Sequence, residues 1–132
     1  MKTKILVVDD EDFQRDLLKR LLSKVGYDVK TAESPEVAMS ILADEEFPVI
    51  ITDLIMLDMD GVEFCQRVRE TNSKTLIIAL TGHSDLYDME KLNAVGFDNY
   101  LTKPIKVDII RRAVEEGLKK ILPKEKTAKK KK

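Results

Sequence analysis

The sequence predicts an α/β fold in which five parallel strands form one doubly wound sheet, with five helices on its two faces. Short aliphatic runs alternate with longer segments of helical periodicity, a pattern typical of parallel sheets. Three of the runs are continuous and apolar at every position but Thr52, as expected for strands that helices cover on both sides. The chain has 132 residues, a length that suits one domain.

The predicted strands differ in their patterns, and the differences indicate their order in the sheet. The first, third and fourth are continuous apolar runs, the second alternates and the fifth is short; they are residues 5–8, 27–31, 49–52, 76–80 and 100–102. Alternating or short strands suit the edges of a sheet. This favours the flavodoxin-like order 2-1-3-4-5, in which ligands bind near the carboxyl ends of the first and third strands.

The segments between the strands carry apolar residues three or four positions apart, the period of an amphipathic helix. Ser34–Pro35 predicts the start of the second helix, with serine as the N-cap, and Gly26 and Gly96 predict the ends of the first and fourth. Pro123 predicts the end of the fifth helix. In the first helix the apolar stripe consists of Phe13, Leu17, Leu18, Leu21, Leu22 and Val25.

The formal net charge of −1 conceals two unequal parts of the chain. Residues 124–132 hold six lysines and one glutamate, so the other 123 residues carry a charge of −6. We expect a folded domain at residues 1–123 and a basic, disordered tail at residues 124–132. Nucleic-acid binding is not expected, because the lysines have neither interleaved aromatic residues nor a basic folded face.

Composition excludes several classes of protein. The single cysteine, Cys65, allows no disulfide within the chain, which argues against a secreted disulfide scaffold. No segment approaches the roughly 20 apolar residues of a membrane span. We therefore expect a cytoplasmic protein that does not insert into membranes, with Cys65 as a small buried residue of the third helix.

Polar and ionisable residues follow four of the predicted strands. Asp9 and Asp10 follow the first strand, Asp53 the third, Thr81 the fourth and Lys103 the fifth. Because the carboxyl ends of parallel strands share one edge of the sheet, we expect these side chains to converge. Three carboxylates repel one another, and an oxygen-ligated cation, Mg²⁺ or Mn²⁺, relieves that repulsion. One carboxylate is then left as a nucleophile, and the lysine and threonine can contact a phosphoryl group.

Four motifs, in this order along the chain, resemble the receiver domain of bacterial two-component response regulators, including single-domain chemotaxis-type regulators. They are VVDDE at residues 7–11, DLIMLDMDG at 53–61, ALTG at 79–82 and GFDNYLTKP at 96–104. The resemblance covers residues 4 to about 121. It implies a signalling domain that catalyses its own phosphorylation and dephosphorylation, and not an enzyme with an external product.

The resemblance also implies roles for the acidic residues and their neighbours. Asp53 would accept a phosphoryl group from a sensor histidine kinase. Asp9, Asp10 and Asp53 would hold Mg²⁺, together with the backbone carbonyl of Ile55. A monomer, or a dimer that forms on phosphorylation, is compatible with this interpretation.

The resemblance also implies roles for three further residues. Thr81 and Tyr100 would act as switch residues, and Lys103 would pair with the phosphoryl group and precede a cis bond to Pro104. The face built by the fourth helix, the fifth strand and the fifth helix would then bind a target protein. The alternative is a phosphorelay carrier that passes the group to a histidine phosphotransfer protein.

Some residues depart from this interpretation or leave it open. Leu57 stands where the family usually has proline, Phe97 where it has alanine and Ile105 where it has phenylalanine. His83 is either an exposed loop residue or, with Ile55, a residue that tunes the phosphoryl lifetime. A remote alternative, a haloacid-dehalogenase-type phosphatase, depends on the segment Asp58-x-Asp60-Gly61, which follows a strand too distantly.

Overall fold

The computed structural model describes residues 2–54, 61–82, 89–104 and 106–130, with side chains as far as Lys120. Within these residues five strands are present: β1 Lys4–Val8, β2 Asp28–Ala32, β3 Val49–Asp53, β4 Leu76–Thr81 and β5 Asn99–Thr102. All pairings are parallel, and the order is β2-β1-β3-β4-β5. The predicted fold class and strand order are therefore confirmed.

Five helices connect these strands in the described part of the chain: α1 Asp12–Lys24, α2 Pro35–Asp44, α3 Gly61–Thr71, α4 Met89–Val95 and α5 Val107–Lys130. The predicted start of α2 is confirmed, since the Ser34 hydroxyl accepts a hydrogen bond from the Val37 amide at 3.2 Å. Gly26 and Gly96 follow α1 and α4 with φ angles of +104° and +131°. These angles suit glycine, which can reverse the chain there without strain.

Two apolar clusters form the core, one on each face of the sheet. Leu6 packs with Phe64 on the side of α2, α3 and α4, and Ile5 packs with Leu18 on the side of α1 and α5. Successive residues of a strand point to opposite faces. The central strands β3 and β4 are therefore buried at every position, as the continuous apolar runs predicted.

The apolar stripe of α1 is wider than the face that the core covers. Leu18 and Leu22 are buried, whereas Phe13 is 71% and Leu17 is 39% exposed. Leu17 precedes Leu18 by one residue and so lies about 100° around the helix from it. Two side chains of the stripe, Phe13 and Leu17, therefore lie outside the face that the core covers.

Helix α5 extends further than the sequence predicted. It continues through Pro123 to Lys130, so the prediction that the helix ends at Pro123 is wrong. The residues after the proline are mostly lysine, glutamate and alanine, which favour a helix despite Pro123. The division into a domain at residues 1–123 and a tail stays a prediction. Among the described residues, no helix combines the length and hydropathy needed to cross a membrane.

Candidate functional site

The carboxyl-end edge of the sheet brings together the side chains that the sequence predicted to converge. Asp53 and Thr81 are the last residues of β3 and β4, and Asp9 and Lys103 directly follow β1 and β5. The ladder continues beyond the strands, because the amide of Lys103 donates to the Thr81 carbonyl at 2.9 Å. Backbone hydrogen bonds therefore fix the positions from which these side chains extend.

Three carboxylates form the acidic part of the site. One carboxylate oxygen from each of Asp9, Asp10 and Asp53 lies within 4.8 Å of the others. Asp9 is 1% and Asp53 is 7% exposed, while Asp10 is half-buried. Such a group of oxygen donors matches the ligands that Mg²⁺ prefers.

The two oxygens of Asp9 have different surroundings. Oδ1 accepts a hydrogen bond from the Glu11 amide at 2.9 Å, whereas the buried Oδ2 has no hydrogen-bond partner. Burial raises the pKa of Asp9, and the nearby carboxylates of Asp53 and Asp10 add to that rise. The Glu11 amide and Lys103 act in the opposite direction but do not cancel it. A buried carboxylate oxygen without a donor is chemically suited to a cation, so these residues fit Mg²⁺.

Lys103 supplies positive charge to the site. Its Nζ donates to Oδ2 of Asp53 at 3.1 Å and lies 3.8 Å from Oδ2 of Asp9, too far for a hydrogen bond. The side chain is only 16% exposed, so this amine is held at the acidic cluster. The peptide between Lys103 and Pro104 is cis, as the resemblance implied.

The two predicted switch residues occupy different environments. Thr81 is 1% exposed at the end of β4, beside the acidic cluster in the same sheet edge. Tyr100 is half-buried and packs against the core cluster on the side of α2, α3 and α4. Their switch roles stay predictions.

Several predicted residues lie outside the described part of the chain: Ile55, Leu57, Asp58, Asp60, His83 and Ile105. The metal ligand at Ile55, the lifetime role of His83 and the phosphatase motif therefore keep their status as sequence predictions. Two other residues named in the sequence analysis lie within the described part of the chain. Phe97 is buried, and Cys65 is buried as predicted, where burial raises the pKa of its thiol to about 11.

Sequence reasoning missed two residues that shape the site. Gly61 begins α3 against the backbone of Asp53: a Cβ atom there would lie 2.3 Å from the Asp53 carbonyl oxygen. Arg15 on α1 donates to the backbone carbonyl of Asp9 at 2.7 Å. The available signals were a glycine at the end of the second motif and a cation six residues after Asp9, but neither signal reveals a contact.

The chain is similar in sequence to known proteins. The family described as the response regulator receiver domain matches residues 5–115. The probable transcriptional regulator ycf27 of Porphyridium aerugineum is 37% identical over 120 residues, which are 91% of this chain and 50% of that protein. The sensor protein EvgS of Escherichia coli strain K12 is 36% identical over 110 residues, which are 83% of this chain and 9% of that protein. This chain therefore spans half or less of these curated relatives.

A solved structure supports the same relationship. The response regulator protein TrrA from Thermotoga maritima, in complex with Mg²⁺ and BeF, superposes with a TM-score of 0.80 at 32% identity. The match covers 89% of this chain and 99% of that chain. These relatives favour neither the relay carrier nor the phosphatase that the sequence left open.

Proposed function

Because this chain belongs to the response regulator receiver domain family, as its four motifs predicted, we propose that it is a phosphoacceptor of two-component signalling. In this proposal Asp53 accepts a phosphoryl group from a sensor histidine kinase, with Mg²⁺ at the acidic cluster. The observation that carries the proposal is the Asp53 carboxylate at a sheet edge, 3.1 Å from Lys103 and grouped with two further carboxylates. The similarity to part of a sensor protein supports a histidine kinase as the donor.

The reaction we propose is a displacement at phosphorus. An Asp53 carboxylate oxygen forms the new bond to phosphorus, the bond from phosphorus to the histidine nitrogen breaks, and the imidazole leaves with that electron pair. Lys103 offsets the charge of the transferred oxygens, since a phosphoryl group carries close to two negative charges. Bound Mg²⁺, held by Asp9, Asp10 and Asp53, supplies further positive charge to those oxygens.

In this proposal, phosphorylation changes the face formed by α4, β5 and α5, which the target protein binds. The Thr81 hydroxyl donates a hydrogen bond to a phosphoryl oxygen, and Tyr100 changes its packing in response. The face offers a target protein apolar surface, since Ile109 is 50% exposed beside a cavity of about 290 Å³. Tyr100 and Ile109 both line this cavity, so a change at the tyrosine would alter the surface that the target contacts.

We place this protein in the cytoplasm, with a kinase and a target protein as its partners. Receiver domains are signalling domains and not enzymes in the usual sense. We therefore expect transfer to Asp53 and its later hydrolysis, but no product released from an external substrate.

Phosphorylation by a small donor tests the proposed function without the kinase. The chain is incubated with acetyl phosphate and Mg²⁺, and the intact protein is weighed by mass spectrometry. We expect one added phosphoryl group in the parent and none in Asp53→Asn, because the amide is not a nucleophile for phosphorus. Asp28→Asn is the matched control, since Asp28 is exposed at the start of β2, on the opposite edge of the sheet. An unlabelled parent, or label that persists in Asp53→Asn, would contradict the proposal.

A further inference from the structure

Arg15 reaches from α1 back to the loop that carries the acidic pair. One guanidinium nitrogen, Nη1, donates to the backbone carbonyl of Asp9 at 2.7 Å. The other, Nη2, contacts Oδ1 of Asp12 in an ion pair on the same helix. The Arg15 side chain is 16% exposed, whereas that of Asp12 is 91% exposed. Both terminal nitrogens of the guanidinium therefore have a partner, although one of these partners, Asp12, lies at the protein surface.

The loop that Arg15 contacts connects two rigid elements. On one side, the Asp9 amide donates to the Ala32 carbonyl at 3.1 Å and so extends the sheet ladder. On the other side, Glu11 caps α1 without a side-chain hydrogen bond. Asp10 lies between these points, and one of its carboxylate oxygens lies within 4.8 Å of oxygens of Asp9 and Asp53, close enough for the three charges to repel one another. A donor that fixes the Asp9 carbonyl also fixes the peptide that joins the two aspartates.

We infer that Arg15 is a positioning residue that holds the peptide between Asp9 and Asp10 so that both carboxylates face the same Mg²⁺ ion as Asp53. This inference rests on the proposed function. The planar guanidinium donates in two directions at once, to a carbonyl and to a carboxylate, which a lysine ammonium on a flexible stem does not reproduce. An exposed ion pair of this kind adds little stability by itself. In this inference the contribution of Asp12 is therefore to orient the guanidinium.

Binding of Mg²⁺ alone to the full chain tests this inference by isothermal titration calorimetry. Residues that orient metal ligands typically change metal affinity by about 10- to 100-fold when they are removed. We expect Arg15→Ala to weaken Mg²⁺ binding by about 10-fold and Arg15→Lys to recover only part of it. Asp12→Asn should have a smaller effect in the same direction. Arg20→Ala, which removes an exposed arginine elsewhere on α1, is the matched control and should bind like the parent.

A second readout separates positioning from a purely structural role. The rate of labelling by acetyl phosphate is measured as a function of Mg²⁺ concentration. Positioning predicts that Arg15→Ala needs about 10-fold more Mg²⁺ for half-maximal rate but reaches the parent's rate at saturation. A structural role predicts lower thermal stability with an unchanged Mg²⁺ dependence.

The outcomes distinguish this inference from the function on which it rests. A parent that binds no Mg²⁺ would contradict the proposed function itself. A parent that binds Mg²⁺, with Arg15→Ala binding equally well, would overturn the role of Arg15 alone. If Arg15→Ala fails to fold, Arg15→Lys and Asp12→Asn decide, because both keep a cation at residue 15.

Discussion

Two acidic residues at opposite edges of the sheet differ in the hydrogen bonding of their carboxylate oxygens. At the amino-end edge, Oδ2 of Asp98 accepts hydrogen bonds from Arg69 Nη2 at 2.9 Å and from the Ile77 amide at 2.8 Å. At the carboxyl-end edge, Oδ2 of Asp9 accepts none. The contrast is the reverse of what burial alone predicts, since the Asp98 side chain is 41% exposed and that of Asp9 is 1% exposed.

The contrast separates an acid whose oxygens are satisfied by the fold from one whose oxygen remains available to a ligand. The junction at Asp98 is complete, because Arg69 also donates from Nε to the Gly96 carbonyl at 2.9 Å and so ties α3 to the start of β5. At Asp9, Oδ2 has no hydrogen-bond donor, since Lys103 donates to Asp53 and its Nζ lies 3.8 Å from this oxygen. A carboxylate that folding leaves without a donor is available to a ligand, and a satisfied one is not.

The largest effect on stability is expected when Asp98 no longer accepts hydrogen bonds from Arg69 and the Ile77 amide. Asp98→Ala leaves the Ile77 amide and the Arg69 guanidinium without their shared acceptor, so we expect a loss of about 2 kcal/mol in the free energy of unfolding. Urea denaturation measures this loss. Labelling by acetyl phosphate at a temperature where the variant is folded should match the parent, because the junction lies at the opposite edge from Asp53.

A matched variant at the same position sharpens this prediction. Asp98→Asn keeps an oxygen acceptor for the Ile77 amide and loses only the ion pair with Arg69, so its loss of stability should be smaller. Equal stability of Asp98→Ala and the parent would contradict the structural role of the junction. Loss of Mg²⁺ binding in either variant would remove the distinction between the two edges.

At the carboxyl-end edge, substitution of the acid is expected to raise the free energy of unfolding and not to lower it. Asp9→Asn removes a buried, incompletely satisfied charge, and without divalent cations at pH 7 we expect it to stabilise the fold by about 1 kcal/mol. Because the raised pKa of Asp9 means that the folded chain binds the proton more tightly, the neutral form stabilises the parent at acid pH. That contribution is lost as the pH rises through the folded pKa. The stability gained by Asp9→Asn should therefore disappear as the pH falls toward 3.8, the ordinary pKa of an aspartate.

Thermal unfolding with and without Mg²⁺ checks this second prediction. The parent's melting temperature should rise with Mg²⁺ concentration, and that of Asp9→Asn should respond much less. A less stable Asp9→Asn in EDTA would show that Asp9 is a structural acid like Asp98, and the contrast between the edges would fail.

The sequence predicted the acidic cluster well because strand ends can be read from apolar runs. Asp9 and Asp53 each follow such a run, Lys103 follows the short fifth strand, and a parallel sheet must bring them to one edge. The contacts of Arg15 and Gly61 could not be predicted, because they depend on how a helix packs back against a loop. Helical periodicity gives the face of a residue and not the atom it contacts.

The smallest effect on stability is expected at a third acidic residue, Glu45, whose ion pairs are accessible to solvent. Glu45 contacts Lys4 and Lys30, and hydrogen bonds from these lysines hold the pKa of Glu45 below its ordinary 4.5. The contribution to stability is present above pH 4.5 and is lost as the pH falls through the lower folded value. Glu45→Gln should therefore lower the melting temperature slightly at neutral pH and not below the folded pKa.

Salt provides the control for this third prediction. Screening weakens ion pairs that solvent reaches, so the small difference between Glu45→Gln and the parent should disappear in concentrated NaCl. A large loss of stability that persists in salt would mean that solvent access is a poor guide to how much an acid contributes in this fold.

The close approach of Gly61 to Asp53 has a mechanical consequence. Since even a Cβ atom would lie 2.3 Å from the Asp53 carbonyl oxygen, there is no free space between the end of β3 and the start of α3. The Gly61 amide also donates to the Leu54 carbonyl at 2.7 Å, which joins the two segments directly. The backbone of Asp53 therefore lies directly against the start of α3, so any displacement of that backbone toward α3 must move the helix as well.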